Sequence, residues 1–174
     1  GITLASCLAI SSLVFFLLSV LPTAAAIDPG RSTGYLQIDD TRIELTESYT
    51  HLHRGTSDDP PRPELRIVLS DREMPQESLA GPDTRRLIEM ARAGAVHGIL
   101  IRLDPDDPGT LTFTVLAVPR AGQDMLITRG YPEASREILR DLRLAPQRVS
   151  GDLACPPGSD LECAAHFSAP LFTD

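Results

Sequence analysis

Residues 96–118 read VHGILIRLDPDDPGTLTFTVLAV, and this stretch decides the fold. Two strongly apolar segments, 96–103 and 110–118, flank a short run of Asp, Pro and Gly residues. Apolar segments of this length that are bounded by turn residues are typical of strands. The Asp, Pro and Gly run favours a turn. We therefore predict a long hairpin at the centre of a β-sheet.

Short apolar alternations continue along the chain from Gly34, with period two more frequent than period 3.6. Successive side chains of a strand point to opposite faces, so this pattern predicts further strands. A loop is expected at 56–63, where three prolines stand. The other predicted strands are 35–38 and 43–53, joined by a turn at Asp39 and Asp40, then 64–70, 124–128, 148–153 and 161–167, with a short helical turn in 132–144 that leads into a strand from Ile138.

One longer helix is predicted at about 82–93. Pro82 suits the first turn, Gly94 suits the end, and Leu87 and Ala91 recur at helical spacing. The expected fold class is α+β, mainly antiparallel β, built as a sheet or a two-layer sandwich with this one packed helix. The residues expected in its core are Leu65, Ile67, Leu69, Leu87, Ile99, Ile101, Leu103, Leu111, Phe113 and Val115.

Residues 1–26 carry no charged side chain and end in Thr23-Ala24-Ala25-Ala26. The apolar run at 8–21 has the length of a signal-peptide core and is shorter than the roughly 20 residues of a spanning helix. We expect 1–26 to be a signal peptide and 27–174 to be a single β-rich globular domain that is periplasmic or secreted. An uncleaved N-terminal anchor is the alternative, and it would make the chain a structural envelope component.

The net charge of −8 at pH 7 narrows the class of partners. Nucleic acids and anionic lipids both attract basic side chains, which this chain has in deficit. We therefore expect no nucleic acid partner and no membrane contact after leader cleavage. The expected partner is an envelope or extracellular protein, or a small ligand.

Cysteine usage agrees with export. Once Cys7 is discarded with the leader, Cys155 and Cys163 remain, and a turn-rich segment separates them. An even pair in an oxidising compartment favours a disulfide. The alternatives are two free thiols, or a site in which Cys163 acts with His166 as a metal half-site or as a nucleophile.

Three segments, made mostly of strand and turn residues, carry a resemblance. They are Gly34-x-Leu36-x-Ile38 with Ile43-x-Leu45-x-x-x-Tyr49, then 64–71, and finally His166-Phe167-x-Ala169-Pro170. Together they resemble a class of secreted bacterial β-rich domains without assigned function. The resemblance implies fold and export, and it implies no catalytic residues.

His51 and His53 are the most suggestive candidates for chemistry. Residues two apart on a strand point to the same face, and imidazoles so placed can share a metal ion. Glu47 has the same parity, and His97 shares the parity of Ile99 in another predicted strand, so a zinc or copper site with ligands His51, His53 and His97 is one hypothesis. It would make the chain a metal-binding protein or a metal-dependent hydrolase. The competing interpretation is hydrogen-bonded or solvated histidines with no metal and no cofactor.

Asp104, Asp106 and Asp107 form an acidic cluster in the predicted hairpin turn. Clustered carboxylates suit calcium, but the spacing differs from that of an EF-hand loop, and Pro105 and Pro108 restrict the backbone. Turn chemistry offers a simpler interpretation, because aspartates accept hydrogen bonds from nearby backbone amides.

Familiar catalytic signatures such as G-x-S-x-G and H-E-x-x-H are missing from the sequence. The leader and the cysteine pair point instead to a protein that works outside the cytoplasm. We therefore expect an exported, non-catalytic binding or interaction domain rather than an enzyme.

Overall fold

The computed structural model of the chain describes residues 30–55, 61–117 and 128–174. The predicted signal peptide at 1–26, most of the predicted loop at 56–63 and most of the predicted strand at 124–128 lie outside these residues. Within them, no helix is long and apolar enough to cross a membrane.

The described residues form a mostly antiparallel, open β-sheet. Its strand order is β7-β6-β5-β4-β3-β1-β10-β9-β8, and β2 pairs with β1 outside this path. The last residues of β10 also run parallel to β3. The strands are β1 (Arg31–Ile38), β2 (Thr41–Glu44), β3 (Glu47–His53), β4 (Glu64–Ser70), β5 (Gly98–Asp104), β6 (Asp107–Leu116), β7 (Thr128–Gly130), β8 (Leu139–Ala145), β9 (Arg148–Ala154) and β10 (Glu162–Thr173).

The central hairpin, the strand at 64–70 and the closing strand pair are confirmed as β5 with β6, as β4, and as β9 with β10. The prediction for 132–144 is also confirmed, because one helical turn, α2 (Ser135–Ile138), leads directly into β8. The predicted strand at 43–53 is instead two strands. Leu45 N donates to Gly34 O, whereas Thr46 N donates to Ser70 O, so pairing with β4 begins at this point, while Glu47 of β3 keeps one pair with Arg31 of β1.

One face of the sheet, which we call the inner face, holds the main core. Every residue expected in the core is buried, with Leu87 alone packing on the other face. Phe113 of β6, Ile138 of α2 and Val149 of β9 belong to one cluster, and α2 contacts β6, β8 and β9. The two ends of the sheet therefore approach each other over a shared core. The two-layer sandwich is not confirmed, since one curled sheet buries its own inner face.

Half of the opposite face, which we call the outer face, is covered by the segment between β4 and β5. The predicted helix is confirmed as α1 (Arg85–Arg92), a shorter helix than 82–93. Its buried residues Leu87 and Ala91 pack with Val68 of β4 and Leu100 of β5. On the other half, formed by β1, β10, β9 and β8, outer side chains such as His166 are exposed.

Candidate functional site

His51 and His53 point to the same face of β3, as their spacing predicts. They lie opposite Arg66 and Glu64 of β4. His51 Nε2 is 2.5 Å from Asp174 Oδ1, and His53 Nδ1 contacts the other oxygen of the same carboxylate. The two imidazoles therefore share one aspartate that follows β10.

Asp174 has a perturbed pKa at this position. Burial by itself would raise the pKa, but hydrogen bonds from His51, His53 and the backbone N–H of Arg54 outweigh it and hold the pKa below its usual range. The carboxylate therefore stays ionised and fastens the end of β10 to β3.

His97 lies at a different place in the sheet. Its backbone N–H donates to Asp71 Oδ1, and its Nδ1 is 2.8 Å from Asp71 Oδ2. Asp71 is five residues along the chain from Arg66, the residue opposite His51, so about 17 Å of extended strand separates the two sites. The structure therefore does not bring His97 together with His51 and His53.

The remaining features of a metal site are also dispersed. Glu47 has the parity expected of it, but its carboxylate pairs with Arg31 of β1. Among residues 30–55, 61–117 and 128–174, no group of three or more His, Cys, Asp or Glu side chains is placed to hold a metal ion. In the hairpin turn, Asp104 Oδ1 accepts the N–H of Asp106 at 2.9 Å, which is the turn chemistry that the sequence favours.

Cys155 and Cys163 form the predicted disulfide, with Cα atoms 5.0 Å apart. Cys163 belongs to the inner core cluster, whereas His166 lies three residues further along β10 and is exposed on the outer face. The hypothesis that Cys163 and His166 form one site is therefore wrong. The sulfur of Cys163 is bonded to that of Cys155, and the side chains of Cys163 and His166 lie on opposite faces of the sheet.

A groove of about 440 Å³ runs along the outer face where β8, β9 and β10 meet. It lies on the half of the sheet that α1 does not cover. Its lining is polar and contains both arginines and carboxylates. We call it the outer groove, and its lining residues are Asp141, Arg143, Arg148, Ser150, Gly151, Asp152, His166 and Ser168.

A β-bulge in β8 shapes one wall of the outer groove. Asp141 and Leu142 stand opposite Gly151 alone, and Asp141 has a φ of 51°. Residues three apart in a regular strand point to opposite faces, so Arg140 and Arg143 would be separated without the bulge. The extra residue brings both arginines to the outer face.

His166 and Asp152 lie directly opposite each other in the outer groove, and His166 Nδ1 is 2.5 Å from Asp152 Oδ1. Two pairs further along the strands, Ser168 stands opposite Ser150. Ser168 is only 6% exposed, and its Oγ is buried without a hydrogen-bond partner among the described residues. The groove therefore combines an oriented imidazole with a hydroxyl that has unused bonding capacity.

Arginines that have no carboxylate partner among the described residues lie beside these groups. Arg140, Arg143 and Arg148 carry no ion pair or hydrogen bond with the described side chains, although the chain as a whole has a net charge of −8. Asp152 is engaged with His166, which leaves Asp141 as the nearest carboxylate of the lining without such a bond. The lining of the outer groove thus combines two arginines with two aspartates, and one of the aspartates is bound to His166.

Sequence reasoning missed the outer groove, although a signal for it was present. Cys155 directly follows β9, its N–H donates to Cys163 O, and the cysteine pair comes next after the pair Ala154 and Ala164 of β9 and β10. Counting away from the disulfide along both strands places His166 opposite Asp152 and Ser168 opposite Ser150. The predicted disulfide would therefore have been enough to predict which residues of β9 and β10 face each other at this site.

Comparison of the chain with models of protein families, with curated proteins and with solved structures finds no match.

Proposed function

We propose that this chain is an exported, non-catalytic binding domain and that the outer groove is its binding site. The ligand is a small polar molecule that carries at least one anionic group. Export is supported by the pattern of residues 1–26 and by the disulfide between Cys155 and Cys163, a bond that persists in oxidising compartments.

The observation that carries the binding proposal is the state of Ser168. A buried hydroxyl without a hydrogen-bond partner costs stability, so such groups are uncommon unless something else satisfies them. Ser168 lies in a groove that Arg143 and Arg148 also line, and guanidinium groups bind carboxylate, sulfate and phosphate oxygens. An anionic ligand in the groove would neutralise Arg143 and Arg148, and it would lie beside Ser168.

The same geometry favours binding over catalysis. An activated serine needs a hydrogen bond to its general base. Ser168 Oγ makes no such bond to His166, although the two residues lie on the same face of β10. Asp152 orients His166 as a fixed hydrogen-bonding group of the groove wall.

A second candidate function is binding of zinc or copper at His51 and His53. Two imidazoles beside one carboxylate, that of Asp174, are the observation in its favour. Elemental analysis of protein purified without chelator or His-tag tests this candidate. One equivalent of metal in the wild type that is lost in H51A/H53A would support it, and metal-free wild-type protein would reject it.

The binding proposal is tested with pairs of probes in which one member carries an anionic group and the other is a neutral relative. Acetate is compared with acetamide, glucuronate with glucose, and glycerol phosphate with glycerol, by isothermal titration of the disulfide-bonded protein. We expect saturable binding of one or more anionic members and none of the neutral ones. R143Q/R148Q should abolish it, whereas R129Q, which removes an exposed arginine from the opposite edge of the sheet, should not.

Binding of no anionic probe, or equal binding by R143Q/R148Q, would contradict the site. Turnover in a hydrolase screen would contradict the non-catalytic part. Intact mass of protein made in an exporting bacterial host tests export separately. A chain that starts at Ile27 supports a cleaved leader, and an uncleaved chain in the membrane fraction supports the envelope anchor.

A further inference from the structure

A second pocket lies on the other half of the outer face, where β4, β5 and β6 run side by side beyond α1. Its volume is about 250 Å³. It is separate from the outer groove and shares no lining residue with it. We call it the Arg102 pocket, and its lining residues are Arg62, Pro63, Glu64, Arg102, Leu103, Asp104, Thr110 and Thr112.

The sheet register places two arginines next to each other at this pocket. Arg66 of β4 is directly opposite Arg102 of β5. Like charges in such a cross-strand pair repel each other and destabilise the sheet. Each arginine of the pair therefore needs negative charge nearby. Glu64 supplies it to Arg66, whereas Arg102 forms no ion pair with the described residues.

Arg66 is fully satisfied by the protein. It is 1% exposed, its Nε is 2.7 Å from Glu64 Oε1, and its Nη1 donates to the carbonyls of Leu79 and Gly81 at 2.6 and 2.7 Å. These bonds fasten the segment between β4 and β5 to the sheet. Arg66 thereby also takes up the nearest carboxylate, that of Glu64.

Arg102 has no comparable partners. It forms no ion pair with the described residues, and its Nε is buried without a hydrogen-bond partner among them. Thr112 stands directly opposite Arg102 on β6, and its Oγ1 is likewise buried and unpartnered. Side chains in directly opposed positions lie about 5 Å apart at Cβ. Two unused donors therefore sit side by side in one pocket.

The other polar groups of the pocket each have a partner, although the carboxylates of Glu64 and Asp104 keep their negative charge beside Arg62 and Arg102. Asp104 Oδ1 accepts the N–H of Asp106, and Thr110 Oγ1 accepts the N–H of Asp104 while it donates to Asp107 O. Glu64 is bound to Arg66. Arg102, Thr112 and the exposed Arg62 at the rim are left, and all three can donate to an acceptor.

We propose that the Arg102 pocket is an anion site that binds a small oxyanion through Arg102 and Thr112. A guanidinium flanked by a hydroxyl matches the acceptor oxygens of a carboxylate, sulfate or phosphate. The anion would also offset the repulsion between Arg66 and Arg102. The site stands on its own observations and is independent of the outer groove.

The test follows the Nε–Hε signals of the arginine side chains and the backbone amides by NMR during titration at constant ionic strength. Separate arms use inorganic phosphate, sulfate and acetate as probes, with chloride as the reference salt. We expect saturable shifts of the Arg102 Nε–Hε signal and of the amides near 102 and 112 in at least one arm. The arm with the tightest binding identifies a tetrahedral or a carboxylate ligand.

R102Q should weaken binding at this pocket by about tenfold or more, and T112V by about threefold to tenfold. T112V keeps the shape and the strand preference of Thr112, so it remains informative if R102Q does not fold. R143Q is the matched control and should leave the Arg102 signals unchanged. No saturable shift at 102 and 112 in any arm, or unchanged binding by T112V and R102Q, would overturn the proposal. Shifts confined to 143–152 and 166–168 would support the outer groove while overturning this pocket.

Discussion

His166 and Asp152 face each other across the last two strands of the sheet, with His166 Nδ1 2.5 Å from Asp152 Oδ1. The disulfide between Cys155 and Cys163 closes the same strand pair three positions away from the His166–Asp152 pair, in the same register. The bond that closes the hairpin thus also aligns the polar groups of the outer groove.

The imidazole of His166 should hold its proton on Nδ1 when neutral, because a carboxylate oxygen of Asp152 accepts that hydrogen bond. In D152A the neutral ring should lose this preference. Long-range ¹⁵N NMR of the ring nitrogens measures the tautomer directly. The side chains are 54% and 37% exposed, so D152A should cost no more than about 1 kcal/mol of unfolding free energy. An unchanged tautomer in D152A would show that Asp152 does not orient the ring.

Removal of the disulfide should destabilise the domain by about 2.5 kcal/mol, the chain-entropy value for so short a loop. The sequence separation of the two cysteines is 8. C155S/C163S compared with wild type in urea, at the same pH, measures the difference. Wild-type protein should also be two hydrogens lighter than its reduced form by intact mass. Equal midpoints of unfolding in wild type and C155S/C163S would contradict a stabilising disulfide.

Gly34 should tolerate no larger residue. A Cβ at this position would lie 2.2 Å from Ala164 O and 2.5 Å from Ala165 Cβ, so β1 and β10 would have to separate. We expect G34A to lose about 3 kcal/mol or more, or to fail to fold. G130A is the matched control, because its nearest contact would be 4.0 Å away at Leu111 O. Chemical denaturation measures both, and equal stability of G34A and G130A would contradict the packing of β1 on β10.

Asp71 should make the free energy of unfolding depend on pH in the acidic range. Burial by itself would raise the pKa of Asp71, but hydrogen bonds from the ring and the backbone N–H of His97 outweigh it and lower the pKa. Because the pKa of Asp71 is lower in the folded state than the unfolded value of about 3.9, its carboxylate makes its full contribution to the free energy of unfolding at pH values above about 3.9. This stability is lost as pH falls through the folded-state pKa.

D71N should therefore be about 1–3 kcal/mol less stable than wild type at pH 7. The difference should shrink as pH falls below about 4, where the wild-type carboxyl also becomes neutral. Urea unfolding at a series of pH values measures it. D83N, which alters an exposed aspartate near α1, is the control and should not change with pH in this way. A constant difference between D71N and wild type across the series would contradict the assignment.

Much of the fold could be predicted from the sequence because strand alternation and turn residues are local signals. The 96–118 hairpin, the strand at 64–70 and α1 each follow from residues within one element. The break between β2 and β3 could not be predicted, because Ile43 and Leu45 continue the alternation through it. The change of partner there depends on Ser70, which is distant in sequence. The curl of the sheet likewise depends on contacts between its two ends.

The site residues divide in the same way. The shared face of His51 and His53 follows from strand parity, but their common partner Asp174 is brought by the parallel pairing of β10 with β3. His97 is a residue type that binds metal ions, but it lies far from His51 and His53. Its position along the sheet is set by the register of β4 with β5, which the sequence pattern does not indicate. The outer groove needs the β8 bulge, a backbone feature that no residue pattern in the segment indicates.

The central claim is that the outer groove binds an anionic ligand, and residue-resolved NMR tests it most directly. A ¹⁵N-labelled, disulfide-bonded chain is titrated with glucuronate and, in parallel, with glucose, and then with glycerol phosphate and glycerol. We predict saturable shifts of the amides at 143, 148–152 and 166–168 with at least one anionic member and none with its neutral partner, and their loss in R143Q/R148Q. The absence of saturable shifts at these residues with either anion, or equal shifts with the neutral partner, would contradict the account.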